Sequence, residues 1–173
     1  DFVRPICEAA RRRGMPVILD GDRPTVENDP LFRLASHVIF SAECLRETTG
    51  MADLGDGLRR IAKETDAFLA VSNGPDDIIY LDRGALHRLP VFKIAAVDTL
   101  GAGDAFHGGF ALALAEGQHV IAAMRFGAAA AGIKCTRLGG SSGAPTRADV
   151  NAFLAGSESE LRGAAQSGAA LQT

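Results

Sequence analysis

A chain of 173 residues suits one ordinary domain and leaves little room for a second. It is 47% hydrophobic and 23% charged, with no Trp and one Tyr, an aromatic poverty that argues against modules built to stack nucleic-acid bases. The net charge of −3, from 18 basic and 21 acidic residues, offers no field to attract a polyanion, and no apolar run approaches the roughly 18 residues of a bilayer span. Neither nucleic acid nor membrane is an expected partner. Cys7, Cys44 and Cys135 are widely spaced and form no zinc pattern, so they are expected as reduced thiols in or near a cytoplasmic core.

In chain order, Phe2 to Arg13 places Val3, Ile6, Cys7 and Ala10 at helical spacing, with Gly14 as the stop. Pro16 to Asp20 and His37 to Ser41 are short apolar runs of the kind that form buried parallel strands. Asp29-Pro30 opens a short helix between them, and Glu43 to Thr49 reads as a helix ending at Gly50. A polar helix from about Gly57 to Thr65 leads to a third strand, Ala67 to Ser72. Ile78 to Leu81 and Leu86 to Phe92 flank Asp82-Arg83-Gly84, a hairpin turn. From Gly101 the chain is rich in Ala and Gly, with helices expected over Asp104 to Glu116, His119 to Cys135 and Arg147 to Leu154. The Ser-, Gly-, Ala- and Gln-rich tail, 156–173, is expected to be disordered. The order implies an α/β fold with a mostly parallel sheet flanked by helices.

The chemistry concentrates in Asp98-Thr99-Leu100-Gly101-Ala102-Gly103-Asp104. Gly101 and Gly103 give backbone freedom immediately before a helix, whose N-terminus carries unpaired N–H groups and partial positive charge. Such a turn can close around a phosphate. Asp104 on the first turn is ordinarily a favourable cap. Beside a phosphate cradle, however, a carboxylate stands where a base takes a proton from an attacking hydroxyl.

This stretch reads DTLGAGD and resembles the C-terminal motif D-T-x-G-A-G-D of the ribokinase-like, or pfkB-type, carbohydrate kinases, with all six defined positions present. Phe126 to Pro145, with Ala128 and Gly139, resembles the helix and loop that flank adenine and a monovalent cation in that family. Ser72 to Asp77 sits where the family has a Thr-x-Gly-x-x-Gly nucleotide loop; Gly74 is kept, Ser72 stands for Thr, and Asp77 replaces the last glycine. Leu19 to Pro24 resembles the D-x-N-x-R strand end of the fructokinase and 2-keto-3-deoxygluconate kinase branch, with Asp22 for Asn. Ser41-Ala42-Glu43-Cys44 is a poor match to the N-x-x-E segment linked to magnesium and phosphate, so Glu43 reads more readily as a solvated helix-start residue.

The resemblance implies a three-layer fold and transfer of the ATP γ-phosphate to a carbohydrate hydroxyl. Asp104 would be the general base on the sugar, and the backbone of Gly101, Ala102 and Gly103 the anion hole. Ser72, Gly74, Asp77 and Ala128 would contact the nucleotide; Asp22 and Arg23, with Asp104, would contact a sugar or sugar acid. Magnesium would involve Glu43, and potassium or sodium would sit with Asp98, Leu100 and Gly139, although Asp98 reads equally as a turn-forming Asp. His107 is expected to be structural, and Arg11-Arg12-Arg13 a solvated face.

Family members carry a further N-terminal half with a small β-sheet lid. Neither is visible, so residues 1–155 are expected to be a C-terminal nucleotide-binding portion, inactive alone and prone to associate with itself. The alternatives are a non-catalytic nucleotide- or sugar-binding regulator on the same fold, or a nucleoside kinase.

Overall fold

The computed structural model describes residues 3–157, which divide between Val91 and Phe92 into two compact units. Phe2 and most of the tail, residues 158–173, lie outside the described residues.

The first unit opens with α1 (Val3–Arg12). Gly14, at φ +69, ends it, and the N–H groups of Gly14 and Met15 return to the carbonyls of Arg11 and Ala10, both at 3.0 Å. This is the Schellman pattern that a C′ glycine makes cheap. Then follow β1 (Ile18–Gly21), α2 (Pro30–Leu34), β2 (His37–Ser41), α3 (Ala42–Thr49), α4 (Leu54–Ile61), β3 (Phe68–Asn73), β4 (Asp76–Asp82) and β5 (Ala85–Leu89). The sheet order is β1-β2-β3-β4-β5. β1, β2 and β3 run parallel; β4 and β5 return antiparallel as hairpins.

The apolar runs form the strands they suggest, and Val38, Ile39, Phe40, Leu69, Ala70 and Val71 are all buried. Leu45 of α3 and Leu54, Leu58 and Ile61 of α4 join Val38, Phe40, Leu69 and Val71 in one core cluster. At roughly 1.5–3 kcal/mol for each large apolar side chain, this burial is what fixes the helices on the sheet. The thiols of Cys44 and Cys135 are free and buried, and that of Cys7 is free and half-buried. Burial pushes the Cys44 and Cys135 thiols up from their ordinary range.

Several boundaries differ from the sequence expectation, two of them in this unit for clear local reasons. α4 starts at Leu54 rather than about Gly57, because Asp53 caps it by accepting from the Asp56 N–H at 2.9 Å. Its glycines serve packing: a Cβ on Gly57 would come 3.1 Å from Leu45. β5 stops at Leu89 because Pro90 has no N–H for the ladder. The Asp82–Ala85 turn has Arg83 and Gly84 at φ +48 and +80, as a two-residue primed turn requires.

The second unit holds α5 (Ala102–Ala115), α6 (Val120–Cys135), a 3₁₀ turn (Ser141–Gly143) and α7 (residues 147–157). α5 and α6 pack closely because small residues meet: a Cβ on Gly109 would lie 3.1 Å from the Gly127 Cα, and one on Gly127 would lie 2.7 Å from the Phe106 carbonyl oxygen. Phe106, Phe110 and Ala113 of α5, with Ala123, Met124 and Ala129 of α6, are buried. Thr146 and Asp149 cap α7 reciprocally, at 2.9 and 3.2 Å. No helix among the described residues is long and apolar enough to cross a membrane.

Candidate active site

In the second unit the site grows from the segment before α5. The Val97 and Asp98 N–H groups bond the carbonyl of Cys135, the last residue of α6, at 2.7 and 3.1 Å. Asp98 Oδ1 accepts from the Leu100 N–H at 2.9 Å, an Asx turn. Asp98 Oδ2 accepts from the Gly139 N–H at 2.8 Å. One carboxylate thus ties the start of α5 to the loop after α6. The Leu100 and Gly139 N–H groups hold its carboxyl below the ordinary range, and Lys134 adds to the effect.

Gly101 then turns at φ +77 and begins α5 with no side-chain cap. α5 starts two residues before the expected Asp104, which places Asp104 on its first turn rather than at the cap. The Ala102 N–H is taken by the Thr99 carbonyl at 3.1 Å, whereas those of Gly101, Gly103 and Asp104 meet no acceptor among the described residues. Three donors at a helix start therefore point outward, and Ala102 is not among the open ones. The Asp104 side chain is exposed and makes no hydrogen bond or ion pair among the described residues. A Cβ on Gly103 would meet nothing within 4 Å, so the backbone there is open to a ligand.

Gly101 and Asp104 line a cavity of about 430 Å³ with Leu100, Gly140, Ser141 and Arg147, and Gly103 lies beside it in the chain. Arg147 is held in place by an ion pair with Glu116 and lies 5.4 Å from the Phe126 ring centre. Phe126, Ala130 and Lys134 form the α6 side of this cavity, on successive helical turns. Ala128 lies half a turn from Phe126 and Ala130, buried in the packing, and does not line it. The charge and volume suit a nucleotide's phosphates, whose negative charge is stabilised by open N–H groups at a helix start.

A potassium or sodium ion does not fit beside Asp98 as these residues stand. Sequence reasoning missed Lys134, which is fully buried. Its ammonium lies 3.3 Å from Asp98 Oδ2 and donates to the Asp98 carbonyl at 2.8 Å and the Arg137 carbonyl at 3.5 Å. Both Asp98 carboxylate oxygens are engaged by these donors and by Leu100 and Gly139. The available signal was a single charge inside the apolar run Ala128 to Cys135, spaced by four from Ala130 and by eight from Phe126.

In the first unit the remaining expected residues fall into three places. Asp22 and Arg23 follow β1 and line a cavity of about 320 Å³ with Asp20, Thr25 and Phe40. Such a strand end is where open α/β sheets place ligands. Gly21 is required there because a Cβ would fall 2.5 Å from the Phe40 ring. Ser72 donates to the Phe40 carbonyl at 3.4 Å, and Gly74 turns at φ +57 between β3 and β4. Asp77 is a β4 residue, so Ser72 to Asp77 is a tight hairpin turn rather than an open loop. Glu43 is exposed on the first turn of α3, whose cap is Ser41. Among the described residues no three His, Cys, Asp or Glu side chains cluster as a metal site. A magnesium ion carried on phosphates needs only one or two protein carboxylates, and in the first unit Glu43 is an exposed carboxylate.

Residues 2–147 match the family described as pfkB family carbohydrate kinase. A ribokinase of Haemophilus influenzae is 29% identical over 154 residues, covering 85% of this chain and 50% of its own length. Among solved structures, Arabidopsis thaliana ribokinase complexed with ribose and ATP aligns at TM-score 0.76 and 28% identity, over 86% of this chain and 50% of that one. A double-mutant fructokinase from Vibrio cholerae, in its fructose-, ADP- and potassium-bound form, aligns at TM-score 0.65 and 27% identity over 70% of this chain and 41% of its own. The chain spans at most about half the length of each.

Proposed function

The chain belongs to the pfkB family of carbohydrate kinases, and we propose that it supplies the phosphoryl-transfer half of an ATP-dependent sugar kinase. The observation that carries this reading is the pairing of an uncommitted Asp104 carboxylate with the open N–H groups of Gly101, Gly103 and Asp104 at one helix start, where Gly101 and Asp104 line a cavity. Asp104 takes the proton of the attacking sugar hydroxyl, and the three N–H groups receive charge that grows on the transferred phosphoryl. Magnesium, bound with the nucleotide, would neutralise the phosphates. The neighbours bound to ribose with ATP, and to fructose with ADP, support a small sugar and a nucleotide as the ligand pair.

Asp104→Asn tests the proposal in the whole protein that carries this chain. It should keep ATP binding while lowering sugar-dependent turnover by roughly 10²–10⁴, the scale of a lost general base. Near-normal turnover would remove Asp104 from the mechanism. Residues 1–173 alone are expected to be inactive and to associate: Val3 and Ile6 of α1 are 40% and 62% exposed. Light scattering of the isolated chain, run beside an ATP-consumption assay, reads both properties.

A further inference from the structure

We infer that Lys134 is a built-in monovalent cation, whose ammonium holds the loop behind the Gly101–Asp104 turn and leaves no place for potassium there. An ammonium brings one positive charge and three N–H donors. Lys134 has three oxygens around it: the Asp98 carbonyl at 2.8 Å, Asp98 Oδ2 at 3.3 Å and the Arg137 carbonyl at 3.5 Å. Carbonyl and carboxylate oxygens around a single buried charge are also what an alkali ion would take. Here the lysine reaches them from within the same fold unit, at the end of α6.

The charge balance is closed. Asp98 Oδ1 and Oδ2 are already turned toward the Leu100 and Gly139 N–H groups, and the Asp98 charge is matched by Lys134. A second cation would meet the ammonium at short range with no carboxylate left to offset it. The Lys134 ammonium is turned to Asp98 and the Arg137 carbonyl and acts on the turn through Asp98, so it is a positioning residue.

The inference rests on reading the Gly101–Asp104 turn as the phosphoryl-binding loop. Its test is therefore made with readouts that need no turnover, on the whole protein that carries this chain. Melting is compared in potassium chloride and tetramethylammonium chloride at equal ionic strength, and thallium(I) binding is followed by ²⁰⁵Tl NMR. The unaltered protein is expected to melt alike in both salts and to show no saturable thallium signal. Lys134→Ala opens the oxygen-lined space, so it should lose several degrees in tetramethylammonium and regain them in potassium or ammonium chloride, as a ligand that binds only the folded state must do. Potassium-displaceable thallium binding by the unaltered protein would overturn the inference. So would a folded Lys134→Ala protein indifferent to potassium. Where Lys134→Ala does not fold in any salt, the thallium result on the unaltered protein decides alone. Turnover measured alongside separates this claim from the kinase reading: its absence speaks against Asp104, not against Lys134.

Discussion

The turns at Gly74 and Gly101 are both built on a left-handed glycine, and only the second is suited to bind phosphate. At Ser72–Asp77, Gly74 turns at φ +57 between two antiparallel strands, and Asn73 pairs with Asp76 both in the ladder and through a 3.0 Å side-chain bond. At Leu100–Asp104, Gly101 turns at φ +77 into a helix and leaves the N–H groups of Gly101, Gly103 and Asp104 without acceptors among the described residues. A glycine at positive φ marks a turn in both. What distinguishes a cradle is the set of donors that the surrounding secondary structure does not use.

That contrast predicts unequal consequences for small changes at the two turns. Gly103→Val should lower turnover by about 10²-fold or more, the scale of a lost oxyanion donor, with a much smaller loss of ATP affinity. A Cβ at Gly103 meets nothing in the chain itself, so the folded structure accepts the change and the loss falls on the ligand. Equal losses in turnover and affinity would point instead to a misformed loop. Gly101→Ala should cost about 1–2 kcal/mol of stability for the left-handed backbone, read as a lower denaturation midpoint, with a smaller drop in turnover. Its Cβ would make only ordinary contacts, at 3.7 Å from Asp104 Oδ2 and Gly140 Cα, so strain and not collision is the cause.

The smallest effect is one of pH. Asp98 and Asp149 are both held below the ordinary carboxyl value of 3.8, Asp98 chiefly by the Leu100 N–H and Asp149 chiefly by the Thr146 N–H. Because the folded values are depressed, their stabilisation is complete above the unfolded value and is lost as pH falls through the folded one. Urea midpoints should therefore show no contribution from either group to pH dependence near neutrality, then a decline below about pH 4. Asp98→Asn should lower the midpoint at neutral pH, with a gap to the unaltered protein that narrows in acid. A gap of constant size would mean that Asp98 contributes through packing and not through its charge.

Much of this was legible in the residues. His37 to Ser41 forms β2 over its expected span, and Gly14 and Gly50 stop their helices, because burial and left-handed backbone act locally. Asp98 and Asp104 were singled out by motif, and the structure gives each a distinct use: Asp98 is a tie between two loops, and Asp104 is uncommitted. Contacts between distant residues were not legible. Lys134 stands 36 positions from Asp98, and nothing in the linear pattern says that its ammonium reaches the Asp98 carbonyl. The resemblance points to Ala128 as a nucleotide contact, but helical rotation gives the cavity to Phe126, Ala130 and Lys134. α4 was started late because Gly55 and Gly57 look like breakers until Leu45 and Leu86 are seen against them.

The central claim is that unused donors, not the glycine turn itself, make the site, and one paired measurement tests it most directly. Gly103→Val and Gly74→Ala are compared in the whole protein for sugar-dependent ATP consumption and for denaturation midpoint. The account predicts that Gly103→Val loses turnover while keeping its midpoint. Gly74→Ala should instead lose about 1 kcal/mol of stability to its left-handed backbone while keeping turnover. Turnover lost at Gly74 and kept at Gly103 would contradict the account and move the phosphate site to the hairpin.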